Sequence, residues 1–446
     1  MPAIKSNSIR ELKERIQIYD VVSQSVSLKR AGSSFKGLSP FNEERTPSFF
    51  ISPDKNLFKC FSSGKAGDII TFVMETEKLT FTEAVESLAR RFNVELEYEA
   101  GGRQQEDRSL RQELFDLHEL ATEHFHQLFL AQNEGGNFIR DYWINDRSFP
   151  LSLAEDFKIG FAPPDGGNLA RVLQQKKFSL AALRQSGLLY ARGNDSHPSF
   201  RPRFRGRLMI PIRDHQNRVI AFTARQLSVT PQDDPSREAK YINSPETPIF
   251  IKGNILFNLD RARLQVTPEH PFLLVEGQLD AMRCHQVGLT TAIAPQGTGI
   301  TAQQISLIRR YEPQVECLLD GDDAGQKAAL RMLPIALKAT VDVRFLILPA
   351  GQDPDLLLKE KGASALDELR KTSLNAIAFA ANSILPNPSE ATPQEKAHAC
   401  EQLFAIIEQV ESDVAKSGLL DEASKLLKIN LRAIETDFHR YLEKSK

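Results

Sequence analysis

Apolar residues recur at helical spacing from Ile9 to Val22, and the short runs Ser48–Ile51 and Leu57–Cys60 predict strands. Two further helices follow, with Asp68 and Thr80 placed to cap their N-termini. Residues 1–100 therefore read as a small α+β domain. The stretch 101–110 is polar, lacks apolar periodicity and is expected to be a linker. Helical spacing dominates 110–146, and mixed structure with proline-rich loops continues to about 268. The segment Thr267-Pro-Glu-His-Pro271 opens a region in which apolar runs alternate with helical stretches. Those runs are Phe272–Val275, Cys317–Leu319 and Val343–Leu348, and the alternation predicts a parallel sheet with helices on both faces. A proline-rich break at Leu385–Pro393 precedes helices that run to Lys446. The fold class is thus α/β and multidomain, with expected divisions 1–100, 101–110, 111–268, 269–362 and 363–446.

Composition narrows the setting more than the function. With 41% hydrophobic and 26% charged residues over 446 positions, the chain has an ordinary globular balance. No run of 18 apolar residues occurs, and the N-terminus lacks the apolar core of a signal peptide. Cys60, Cys284, Cys317 and Cys400 are too scattered for a disulfide framework, which predicts a reducing cytoplasm. The net charge of −2 does not advertise a nucleic-acid partner, so such a site requires charge segregation. Between Arg201 and Arg263 twelve Lys or Arg stand against six Asp or Glu. Within it, Arg201, Arg203, Arg205 and Arg207 alternate; on an extended strand all four point to one face.

The acidic residues carry a sharper signal. Each of the three apolar runs is followed by carboxylates: Glu276 and Asp280, then Asp320 and Asp322, then Asp353 and Asp355. Functional groups in parallel sheets gather beyond the carboxyl ends of the strands. Carboxylates crowded there repel unless cations lie between them, and oxygen donors suit Mg²⁺ or Mn²⁺. Each group read singly is equally a helix cap or a solvated turn. In this order and spacing, Glu276-Gly-Gln-Leu-Asp280, Asp320-Gly-Asp322 and Asp353-Pro-Asp355 resemble the Toprim signature. The flanking sequences Ala294-Pro-Gln-Gly-Thr-Gly-Ile-Thr301 and Asp320-Gly-Asp-Asp-Ala-Gly-Gln-Lys327 are similar to those of bacterial DNA primases. Thr301 and Gln304 form a capping-box pattern.

That resemblance extends over nearly the whole chain. It implies a Toprim-type parallel-sheet core, primer synthesis on single-stranded DNA from ribonucleoside triphosphates, and a replicative helicase as partner. The family's helicase-binding domain is not evident here, so the chain is expected either to stop short of it or to dock differently. Glu276, Asp320 and Asp322 would be catalytic, and Glu276, Asp280, Asp320, Asp322, Asp353 and Asp355 would hold Mg²⁺. Phe204-Arg-Gly-Arg-Leu-Met-Ile-Pro-Ile212 resembles the family's Arg-x-Arg strand, with Gly206 where an acidic residue is usual. Arg207, Arg225, Lys240, Tyr241, Asn243 and Lys252 would contact template or nucleotide, cations at phosphates and Tyr241 against a base. A core-packed Tyr241 is the bland alternative.

Residues 1–95 resemble the family's N-terminal zinc domain, but Ser39, Asn42, Cys60 and Ser63 occupy the positions of its Cys, His, Cys and Cys ligands. Serine and asparagine are poor zinc ligands and one thiolate cannot hold a tetrahedral site, so zinc is expected to be absent. Packing among Phe41, Phe49, Phe50, Phe58 and Phe61 would replace it. A cytoplasmic, nucleoid-associated primase is the leading reading. A Toprim nuclease or topoisomerase and a non-catalytic primase-derived DNA-binding protein are the alternatives.

Overall fold

A computed structural model describes residues 4–42, 44–98, 102–192, 199–297, 299–319, 322–348 and 352–444, excepting the side chains of 102–108 and 324. Two compact units divide after Ser109. Among the described residues no helix is long and apolar enough to cross a membrane.

The first unit is built on an antiparallel meander of β1 (Lys29–Ala31), β2 (Ser34–Gly37), β3 (Phe49–Ser52), β4 (Leu57–Cys60) and β5 (Ala66–Gly67). Alternation decides its inner face: Phe49, Ile51, Phe58 and Cys60 are buried, while Leu57 and Lys59 point outward. Asp68 and Thr80 cap helices Ile69–Glu77 and Phe81–Arg91, Asp68 by accepting Ile70 and Thr71 N–H at 3.0 Å. The expected helix from Ile9 to Val22 is instead two, Ser6–Arg15 and Ile18–Val22. Asn56 makes the break tolerable: its amide donates to the carbonyls of Lys13 and Ile16, and its oxygen accepts Ile18 N–H at 2.6 Å. Both orphaned ends are thereby satisfied by one side chain forty residues away.

The polar stretch expected to be a linker is also different. Its backbone is helical from Gly102 and continues to Leu130. Glutamine, glutamate and arginine are good helix formers, so a missing apolar stripe removes the burial signal without removing helical propensity. The expected helical region 110–146 divides at Asn133, which caps Glu134–Asp141, and ends in a π turn at Tyr142–Asp146.

The second unit contains two sheets and a hairpin of β7 (Leu189–Arg192) with β8 (Ser199–Pro202). An antiparallel sheet has the order β11 (Tyr241–Asn243), β10 (Val219–Gln226), β9 (Arg207–Arg213), β6 (Gly160–Ala162). The larger sheet has the order β12 (Leu256–Phe257), β14 (Ala292–Pro295), β13 (Phe272–Leu274), β15 (Gln314–Cys317), β16 (Asp342–Phe345), β17 (Leu374–Asn375). Its four central strands are parallel, as expected, and both edges are antiparallel.

Helices cover both faces of that sheet, and strand alternation shows it. Phe272 and Leu274 enter one core and Leu273 and Val275 the other. The first core also takes Leu403, Phe404, Leu420, Ile434 and Phe438 from the C-terminal helices, which pack on the sheet and share its core. Burial on two faces is why these strands read as continuous apolar runs.

Candidate active site

The parallel order β13–β15–β16 points the ends that the three acidic groups follow the same way, beyond the carboxyl side of the larger sheet. Exposed Glu276 follows β13, and the next helix, Gln278–Gln286, carries Asp280, whose carboxylate accepts the Gly277 N–H at 3.0 Å. Beyond β15, Asp322 caps the helix Asp323–Lys338 by accepting Gly325 N–H at 2.8 Å. Beyond β16, Asp353 caps Pro354–Lys361 by accepting Asp355 N–H at 2.7 Å. Helix N-termini favour negative charge, so each cap fixes a carboxylate at the rim while stabilising its helix. Asp320 lies outside the described residues. Among those described, no three His, Cys, Asp or Glu side chains converge tightly enough to enclose an ion. The donors offered are oxygen only, a set that fits Mg²⁺ or Mn²⁺ and not zinc. A cleft of about 170 Å³ opens beside Asp322 and Asp323, between the ends of β15 and β16. Asp355 differs from its neighbours in pairing with Arg283 at 2.5 Å.

The basic half corrects two expectations. The four alternating arginines do not share a face: β8 stops at Pro202, the chain turns through Gly206 at φ +60°, and β9 begins at Arg207. Arg203 stacks on Tyr190 at 4.2 Å, Arg205 pairs with Asp233 at 3.0 Å, and Arg201 is exposed. Arg207 is completely buried, donating to Ser236 and Ala239 carbonyls at 2.6 and 3.1 Å beside Asp234. It pins the 234–239 loop to the sheet, with no surface left exposed to a ligand. Gly206 also explains its departure from the family pattern, since a Cβ there would lie 2.5 Å from the Val229 carbonyl oxygen.

Of the remaining basic and polar candidates, Arg225, Lys240, Tyr241 and Asn243 lie along or beside β10 and β11. Arg225 donates to the phenol oxygens of Tyr142 (2.5 Å) and Tyr241, and its guanidinium lies 5.1 Å from the Tyr241 ring. Burial raises the Tyr241 phenol above its usual range, yet 37% of the residue stays exposed. Lys240 is exposed, its ammonium 6.0 Å from the same ring. Asn243 accepts the Thr223 hydroxyl at 2.7 Å, and Gln278 donates to Thr223 and Gln296, tying β10 to the acidic rim. Lys252 lies in a 3₁₀ turn, Lys252–Asn254, held by the expected capping box: Thr301 donates to Gly253 O at 2.5 Å and Gln304 to Lys252 O at 3.3 Å. Tyr142, Thr223 and Gln278 were not visible as participants in sequence because their partners lie on other strands.

In the first unit, Ser39, Cys60 and Ser63 come together around a network that the sequence did not reveal. Cys60 hydrogen-bonds the Ser39 hydroxyl at 3.2 Å and the Ser62 hydroxyl at 3.4 Å. Ser48 donates to Glu44 at 2.6 Å or to Ser62 at 2.8 Å, and Glu44 also accepts Ser39 and Ser48 N–H at 2.7 and 3.0 Å. Asn42 is exposed, with only its backbone N–H directed at Ser39. Burial pushes the Cys60 thiol up, but hydroxyls from Ser39, Ser62 and Ser63 outweigh it and bring the group down to about 6. The Ser48 hydroxyl, chiefly, holds Glu44 at about 2. Beside the network, Phe41, Phe49, Phe58 and Phe72 pack with ring centroids 5.6–6.3 Å apart. The expected Phe50 and Phe61 instead pair with each other outside that cluster, Phe61 being 64% exposed.

Comparison with known proteins agrees along the chain. Residues 4–104 match the CHC2 zinc finger family, 125–263 the N-terminal domain of the DNA primase catalytic core, and 273–358 the Toprim-like family. The DNA primase of Escherichia coli K12 is 35% identical over 446 residues, covering 97% of this chain and 74% of that protein. The Synechococcus elongatus DNA primase is 37% identical over 378 residues, 82% of this chain and 53% of its own, so the chain spans about half of that relative. The crystal structure of Aquifex aeolicus primase, with its zinc binding and RNA polymerase domains, is similar at TM-score 0.63 and 29% identity, covering 96% of this chain and 99% of that one. A DnaG primase catalytic domain bound to ssDNA is similar at TM-score 0.59 and 33% identity, covering 72% and 98%. With its motifs, its sheet order and these relatives in agreement, the chain belongs to the bacterial DNA primase family.

Proposed function

We propose that this chain is a nucleotidyltransferase that assembles short RNA on a single-stranded DNA template. The observation that carries the reading is the placement of Glu276, Asp322 and Asp353 beyond three adjacent parallel strands, with Asp280 and Asp320 beside them in sequence. In the reaction a ribose 3′-hydroxyl forms a bond to the α-phosphorus of an incoming triphosphate, the bond to the β-phosphate breaks, and pyrophosphate leaves. Mg²⁺ bound by Glu276, Asp280, Asp320, Asp322 and Asp353 would supply charge for the triphosphate and lower the hydroxyl pKa. The caps at Asp280, Asp322 and Asp353 hold those carboxylates in fixed orientation, so little reorganisation accompanies the reaction.

Arg225, fixed by two phenols, exposed Lys240, and half-buried Lys252 in its 3₁₀ turn attract phosphates without sequence choice. Tyr241 offers a partly exposed ring against which a template base stacks. The ssDNA held by the related catalytic domain supports that template class. A replicative helicase as partner rests on family membership.

We also infer that the first unit folds without zinc. Of the four positions only Cys60 offers a thiolate, its thiol already hydrogen-bonds the Ser39 and Ser62 hydroxyls, and hydroxyl and amide oxygens are poor zinc ligands.

Labelled ribonucleotide incorporation on single-stranded DNA with Mg²⁺ tests the main reading. Template-dependent RNA supports it; DNA cleavage without incorporation would favour a Toprim nuclease and overturn it.

A further inference from the structure

Arg283 lies one turn beyond Asp280 on the helix Gln278–Gln286, and only 1% of it is exposed. Every nitrogen of its guanidinium is hydrogen-bonded. Nε donates to Asp355 Oδ1 at 2.5 Å, Nη1 to Ser148 O at 3.0 Å and Gln286 Oε1 at 2.6 Å, and Nη2 to Arg147 O at 2.7 Å. The group also lies 4.1 Å from the Phe149 ring, and Lys359 reinforces the junction by donating to Ser148 Oγ at 2.8 Å.

One side chain therefore joins three segments. The first is the helix that carries Asp280. The second is the turn that carries Asp353 and Asp355. The third is the loop 147–149, which follows the π turn whose Tyr142 holds Arg225. The acidic rim and the loop that leads from the Tyr142 turn meet at this guanidinium.

Asp355 is committed by the same geometry. Arginine stays charged at all accessible pH, and a buried guanidinium stripped of its counter-ion is strongly disfavoured. A dication bound to Asp355 would compete with Arg283 for the same carboxylate. Meanwhile the Asp355 N–H anchors the Asp353 side chain at 2.7 Å, so fixing Asp355 fixes where Asp353 points.

Building on the metal-dependent reading of the rim, we propose that Arg283 is a positioning residue for the acidic site, with Asp355 as its counter-ion and not a metal ligand. The pair aligns Asp280 and Asp353 and sets their register against the Tyr142–Arg225 group. Outer partners of metal ligands typically affect metal affinity by about 10–100-fold.

The test uses the full chain and Mn²⁺ alone, followed by electron paramagnetic resonance of the free ion, beside the Mg²⁺ dependence of incorporation. Arg283→Met should weaken Mn²⁺ binding about tenfold or more and raise the half-maximal Mg²⁺ by a similar factor. The maximal rate at saturating Mg²⁺ should fall less. Arg283→Lys, which keeps the charge but loses the fork, should recover part of the loss. Asp355→Asn should leave the number of bound Mn²⁺ unchanged, and the Arg283→Met/Asp355→Asn double variant should be no weaker than Arg283→Met, because coupled partners are not additive.

A lost Mn²⁺ in Asp355→Asn, or additive effects in the double variant, would overturn the assignment. If Arg283→Met does not fold, Arg283→Lys and Asp355→Asn still decide: wild-type Mn²⁺ affinity in Arg283→Lys also overturns it. Failure of the parent chain to bind Mn²⁺ overturns the reading of the rim and this inference together, whereas normal binding in parent and variants alike overturns this inference only.

Discussion

The network around Cys60 and the rim around Glu276 both gather polar side chains beside strand ends, yet they balance charge in different ways. Around Cys60 hydroxyls, a carboxylate and backbone N–H groups answer each other inside a single domain. Around the rim, carboxylates are steadied by helix caps, and Asp355 makes a close ion pair with a buried cation. Internal closure is the mark of a structural centre; an acidic surplus beyond adjacent parallel strands is the mark of a place where cations are brought in. The family's metal-binding positions thus divide into one set that has become an ordinary hydrogen-bonded core and one that retains its acidic character.

Breaking the rim should have the largest effect. Asp320→Ala is expected to lower incorporation by at least about 100-fold, since losing a metal ligand costs several kcal/mol of transition-state stabilisation. Its melting temperature should be close to that of the parent, and retained activity would sink the acidic-site assignment.

Arg207 separates structural from ligand-binding arginines. Arg207→Ala leaves Asp234 buried without its cation and should cost about 3–5 kcal/mol of stability by denaturant unfolding. The salt dependence of DNA binding by the folded fraction should not change; a lower slope would place Arg207 at a phosphate after all.

Glu44→Gln should lower the melting temperature of the first unit and flatten its acid dependence. The sign follows from the direction of the shift: a carboxyl held at about 2 against an ordinary 4.5 contributes stability above pH 4.5 and loses it as pH falls toward 2. The parent-minus-variant difference in melting temperature should therefore shrink across that window. EDTA should leave the parent's melting temperature for this unit unchanged, because a zinc-dependent domain would unfold on chelation. Stoichiometric zinc by elemental analysis contradicts the comparison drawn above.

The smallest effect belongs to Lys240→Ala, which should reduce the slope of log K against log salt by about one. An unchanged slope in a variant with weaker triphosphate binding would move Lys240 from the template to the nucleotide.

What could be read in advance was local. Caps at Asp68, Thr80 and Thr301 depend on residues two or three positions away, and the apolar runs that become β13, β15 and β16 carry their burial in their composition. The acidic motifs could be placed because strand ends in parallel sheets face one way. Long-range pairing was illegible. Asn56 breaks a helix that looks continuous, and Gly206 ends the alternation on which the arginine face depended. The helix from Gly102 could not be seen because it lacks a stripe to bury. Glu44, Ser48 and Ser62 looked like loop polarity until the fold placed them around Cys60. Arg283 was within reach, standing three residues after Asp280 on the same helix face, but its partner Asp355 is seventy-two positions further on.

Cys60 is the only thiol in the first 283 residues, and it is buried. On the zinc-free reading proposed above, a unit folded around hydroxyls and one carboxylate would draw nothing from a cell's zinc supply. Peroxide acts most readily on accessible low-pKa thiolates, and here it finds no neighbouring cysteine with which to close a disulfide and no coordinated ion to expel. A structural ion held by thiolates is lost to chelation and to thiol oxidation, and the fold is lost with it. On that reading a serine-lined network removes the fold's dependence on zinc, transferring the requirement from nutrient uptake to the genetic code.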